Sequence, residues 1–193
     1  MNILIVYHSK LGAVQKMARL IARGVESVDG CHAIIRTVAE VSVSGDCSNS
    51  DHEDLLVSTE DLTNCDGLIL GSPTRFGNMS SSMKYFLDST SSLWMSGGLV
   101  GKPAGVFTSS SSMHGGQEST LLSMMIPLMH HGMVISGIPY SEPALSKTTT
   151  GGTPYGASHV AGSNNTMPIS DDEKALCIAL GKRIATLSIQ LKN

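Results

Sequence analysis

The stretch Gly71-Ser72-Pro73-Thr74-Arg75-Phe76-Gly77-Asn78-Met79 sets a hydroxyl, a guanidinium and an aromatic ring between a proline and a glycine. It follows Asp66-Gly67-Leu68-Ile69-Leu70, a short apolar run that reads as a buried parallel strand. Pro73 has no N–H for a sheet ladder and disfavours helical angles at Ser72, so the strand must end there. Gly77 permits a sharp turn, and Asn78 is expected to cap a helix from Met79 to about Ser89. Loops at the carboxyl end of buried parallel strands are where open α/β sheets hold ligands. Pro73, Thr74, Arg75, Phe76 and Gly77 are thus placed to hold something planar and polar.

Two other loops carry similar chemistry. Ser9, Lys10, Leu11, Gly12, Ala13 and Val14 lead from an apolar run into a helix, whose first N–H groups make an anion site. Alone, this is an ordinary strand-to-helix turn. The loop Ser109 to Gly116 is rich in hydroxyls and glycine, and Ser109, Ser110, Ser111, His114 and Gly115 could wrap a ligand. A flexible surface linker fits that composition about as well. Three such loops on one sheet edge favour a small phosphate-bearing aromatic ligand.

Other chemistries fit poorly. There is no GxxxxGK[ST], GxGxxG, GxSxG or HExxH. His130 and His131 are adjacent, so they point apart on a helix and make a poor metal pair. Cys31, Cys47, Cys65 and Cys177 lack CxxC spacing and read as unpaired structural thiols. No residue stands out as a catalytic acid, base or metal ligand.

The elements that position these loops follow from periodicity. Ile3 to Tyr7 is a first buried strand, and Val14 to Val25 carries an amphipathic helix ending near Gly30. His32 to Val38 is the second strand. Residues 39–62 are a polar surface excursion with a helical turn near Thr59 to Leu62. Pro103 to Phe107 is the fourth strand, followed by a helix over Glu118 to Met129 with Leu121, Leu122, Met125 and Leu128 on one face. Met133 to Ile135 is the fifth strand, and residues 139–167 read as a long irregular loop. Ser170 and Glu173 form a capping box for a last helix. The whole of 1–193 reads as one doubly wound α/β domain with a five-stranded parallel sheet and helices on both faces. In the flavodoxin-like order 2-1-3-4-5, FMN lies at the switch between strands one and three, which precede the Ser9 and Thr74 loops.

Composition narrows the partners. Apolar residues make up 41% and charged residues 15%, with a net charge of −3. That balance gives no footprint for nucleic acid and no polybasic membrane patch. No apolar run approaches the ~18 residues of a membrane span. The amino terminus lacks the basic region and cleavage site of a signal peptide, so a cytoplasmic protein is expected.

Together, Gly-Ser-Pro-Thr-Arg-Phe-Gly-Asn-Met, His-Gly-Gly-Gln-Glu, His-His-Gly-Met and Gly-Gly-Thr-Pro-Tyr-Gly-Ala resemble the WrbA-type NAD(P)H:quinone oxidoreductases of the flavodoxin-like superfamily. The resemblance covers nearly the whole chain. It implies FMN as cofactor, NADH or NADPH as donor, two-electron reduction of quinones and a homotetramer. By that likeness Ser9, Gly12 and Val14 belong to the phosphate loop. Thr74, Arg75 and Phe76 would bracket the isoalloxazine and ribityl chain, and Ser109 to Gly115 would line the ring's polar edge. His130 would approach the flavin from its own helix end or from a neighbouring subunit. Trp94 and Tyr155 would wall the substrate pocket. Leu11 stands where an aromatic residue is usual, and Ala13 where a His is familiar, so one stacking side chain is absent. A flavodoxin-type electron carrier and an FMN-free scaffold remain as rival readings of the fold.

Overall fold

The computed structural model describes residues 1–41 and 53–192. Cys47 and residues 42–52 of the expected surface excursion lie outside them. The described chain runs β1 (Asn2–Tyr7), α1 (Ala13–Glu26), β2 (His32–Thr37), α2 (Thr59–Asn64), β3 (Gly67–Pro73), α3 (Ser81–Asp88) and α4 (Ser91–Met95). It continues with β4 (Pro103–Ser110), α5 (Gln117–His130), β5 (Val134–Ile135), α6 (Ala144–Lys147), β6 (Ala157–Val160) and α7 (Asp171–Leu191). The parallel strands lie in the order β2-β1-β3-β4-β5, as the alternation of strands and helices predicts.

Side chains alternate between two cores because strand residues point to opposite faces. Ile3, Ile5 and Tyr7 of β1 pack with Val14, Met17 and Ile21 of α1 and with Leu176, Leu180 and Ile184 of α7. Leu4 and Val6 face the other way, toward Met83, Leu87, Leu93, Leu121 and Leu128 on α3, α4 and α5. Helices α1 and α7 meet at Gly24 and Gly181. A Cβ on Gly24 would lie 2.0 Å from Ile178 O, and one on Gly181 would lie 2.0 Å from Ile21 O. That close approach seats α1 directly against α7.

Four expectations need correction. Helix α3 starts at Ser81, capped by Ser80, whose Oγ accepts from Met83 N at 3.3 Å; Asn78 is not its cap. Asn78 instead closes a two-residue turn with Arg75 through backbone bonds of 2.8 and 3.0 Å. Phe76 and Gly77 both have positive φ there, which is the type I′ geometry. Strand β4 continues through Ser110, so Thr108, Ser109 and Ser110 are strand residues. The cause is β6, a strand inside the supposedly irregular 139–167 segment. It pairs with Phe107–Ser110, while β5 pairs only with Pro103 and Ala104. Finally, Leu122 is exposed and Met124 takes its place in the core.

Candidate cofactor site

The first, third and fourth strands end at one edge, and their loops meet there in a cleft of about 140 Å³. Ser9, Lys10, Leu11, Ala13 and Val14 form one wall. Pro73, Thr74 and Arg75 form a second, and Ser109, Ser110 and Ser111 a third. Sequence reasoning missed the remaining wall, Ala161, Gly162, Ser163 and Asn165. Its only signal was a cluster of turn-forming residues after His159-Val160, submerged in the long loop around it.

The geometry suits an anion. Gly12 is the residue before α1, with φ +86, and no side chain caps the helix. The first N–H groups of α1 therefore carry unneutralised partial positive charge toward the cleft. Gly12 N donates to Ser9 Oγ at 3.1 Å, which leaves the Ser9 proton to donate elsewhere. Lys10 and Arg75 line the cleft, and among the described residues no carboxylate does. Helix α5 also starts without a side-chain cap, at Gly116. The third loop is braced internally. Ser110 Oγ donates to Ser112 O and accepts from Gln117 Nε2, both at 2.7 Å. Thr74 Oγ1 bonds with Thr120 Oγ1, tying the second loop to α5.

The sequence pattern of the NADPH-dependent FMN reductases matches residues 1–144. The chain belongs to this family. It is 44% identical over 201 residues to an NAD(P)H dehydrogenase (quinone) of Syntrophobacter fumaroxidans, covering 99% of this chain and 98% of that one. It is 43% identical to the protein of that name from Geobacter sulfurreducens, with both chains fully covered. Among solved structures, a flavodoxin, WrbA-like protein from Agrobacterium tumefaciens superposes with a TM-score of 0.69 at 24% identity over 98% of both chains.

The cleft of this FMN reductase family member passes a direct test of fit. A dianionic phosphate needs N–H and O–H donors, cations and no neighbouring carboxylate, and the cleft supplies each. Its volume falls below the ~300 Å³ of a complete small-ligand pocket, so it suits the phosphate and ribityl end. Gly12, Phe76, Gly77, His114 and Gly115 belong to the same loops without lining the cleft; Phe76 stands fully exposed at the tip of its turn.

Three expected residues lie elsewhere on the protomer. Trp94 and His130 line a separate groove of about 680 Å³ between α3, α4 and α5, with Leu87, Ile126 and Pro127 as its apolar floor. Trp94 Nε1 donates to His130 O at 2.8 Å, joining α4 to the end of α5. Beneath them, Thr90 Oγ1 donates to Leu87 O at 2.7 Å, so it can only accept from His131 Nε2 at 2.9 Å. His131 is thus protonated on Nε2, and its buried Nδ1 has no partner among the described residues. Burial, with His130 alongside, holds its pKa below the ordinary histidine value. Tyr155 sits half-exposed in the Thr153–Gly156 turn ahead of β6 and lines neither cavity.

Proposed function

We infer that the protein is an FMN-dependent oxidoreductase that passes two electrons from NAD(P)H to a quinone. The observation that carries this is the donor-rich cleft, without a carboxylate among the described residues, at the β1/β3 edge of a chain whose full-length relatives are named NAD(P)H dehydrogenase (quinone). FMN held at this edge would supply the two-electron redox chemistry between the nicotinamide and the quinone. The balance closes with one proton from water, giving NAD(P)⁺ and hydroquinone.

The protein's part is positioning and charge. Ser9, Lys10, the α1 N-terminus and Arg75 hold the phosphate. Thr74 and Ser109 to Ser111 hold the ribityl chain, and Phe76, Gly77, His114 and Gly115 border the ring. No side chain need act as acid or base. Leu11, Trp94 and Tyr155 are proposed to bound the substrate space, with His130 close to the flavin. Trp94 and His130 lie outside the protomer's own cleft, so in this reading a neighbouring copy presents them, in a homotetramer of one-domain chains. Exposed Tyr85, Met95, Ile126 and Met129 give that face the apolar area an assembly needs. Cytoplasmic location is part of the same reading, since NAD(P)H is the donor.

One substrate space serving donor and quinone in turn requires ping-pong kinetics. Initial rates measured against NAD(P)H at several benzoquinone concentrations should give parallel double-reciprocal lines. Intersecting lines would rule out the shared space.

A further inference from the structure

After β6 the chain crosses the start of α1 as a compact loop before entering α7. The loop is closed on itself: Met167 N donates to Ala161 O at 3.0 Å, and Asn165 N to Gly162 O at 3.1 Å. One carboxylate roots both of its ends. Glu173 accepts from Val160 N before the loop at 3.0 Å and from Ser170 N after it at 2.8 Å. The same carboxylate takes Gly151 N and the buried His159 Nδ1.

A side-chain hydrogen bond ties this loop to the first loop. Asn165 Nδ2 donates to Leu11 O at 2.7 Å. That oxygen belongs to the peptide unit whose N–H, on Gly12, is held by Ser9 Oγ at 3.1 Å. A single peptide plane is therefore gripped at both ends, immediately before the unneutralised start of α1. Asn165 also has φ +54, a left-handed conformation that asparagine tolerates better than most residues and glycine better still. The conformation alone would suit glycine; the amide adds the grip on Leu11.

We propose that the 161–167 loop is a structural wall of the cofactor site and that Asn165 is its positioning residue, locking the Leu11–Gly12 peptide so that Ser9 and α1 face the FMN phosphate. This rests on the FMN reading above. A preset peptide spares the ordering cost that binding would otherwise carry, so the effect appears in affinity.

The test titrates the apoprotein with FMN, followed by flavin fluorescence, for wild type, N165G and N165D. N165G accepts the positive φ but loses the amide. The lost bond is exposed, so its apoprotein should melt within a few degrees of wild type, while its Kd for FMN rises about tenfold, the scale of ordering a peptide that is no longer preset. N165D keeps the side-chain length but cannot donate from its carboxylate, and it sets a negative charge beside the phosphate. It should bind more weakly than N165G, with the gap between the two narrowing as salt rises. An N165G Kd within twofold of wild type overturns the proposal, as does a melting temperature that falls in step with affinity. Wild type failing to bind FMN overturns the functional reading as well.

Discussion

Ser9 contributes through its oxygen and its proton separately. The oxygen takes Gly12 N and sets the turn into α1; the proton remains for the ligand. Ser9→Ala removes both, and FMN affinity should drop about tenfold or more, one to two hydrogen bonds including one to a charged acceptor. A flavin fluorescence titration measures it directly. Glu173 works at the same scale on stability. Burial alone would raise its pKa, but hydrogen bonds from His159, Ser170 N and Val160 N overcome that and bring it from 4.5 down to about 2. Its folded value lies below its unfolded one, so the contribution is whole above about pH 4.5 and is lost as pH falls toward about 2. It is on the order of 3 kcal/mol. Acid melting curves should show that loss, and Glu173→Gln should flatten it in that window. Ser9 and Thr74 were legible in the sequence because each stands where an apolar strand run meets a turn residue. Asn165 was not, because its partner is Leu11, a distant backbone oxygen that no local pattern reveals.

At the level of elements, α4 and the end of α5 are joined by two hydrogen bonds, Trp94 Nε1 to His130 O and His131 Nε2 to Thr90 Oγ1. Thr90→Val leaves the buried His131 N–H without an acceptor, at a cost of about 1–3 kcal/mol. The melting temperature should fall by a few degrees to about ten, and the Trp94 fluorescence should shift as α4 loosens. An unchanged melt would mean that the pair adds nothing. Alternating apolar runs made β1 to β4 readable, because strands covered on both faces leave continuous Val, Ile and Leu. Strand β6 escaped because Ala157-Ser158-His159-Val160 is short and half polar. Its polarity is explained by His159, whose buried ring is hydrogen-bonded to Glu173. Asn78 misled for a related reason: Asn is favoured both at helix caps and in tight turns, and the type I′ turn took it.

For the whole molecule, the two-core, doubly wound arrangement follows from the order of apolar runs, and it carries the cleft to the sheet edge that the sequence indicates. What the sequence could not place is the relation between the cleft and the Trp94–His130 groove, which lie apart on the protomer. A fold does not by itself separate a reductase from an electron carrier. A carrier and a reductase differ in whether NAD(P)H itself can load the flavin. Anaerobic visible spectroscopy of the FMN-loaded protein decides between them. We expect NAD(P)H to bleach the bound flavin band and benzoquinone to restore it, with one quinone consumed per NAD(P)H. Bound flavin that NAD(P)H leaves oxidised would contradict the oxidoreductase reading and point to an electron carrier.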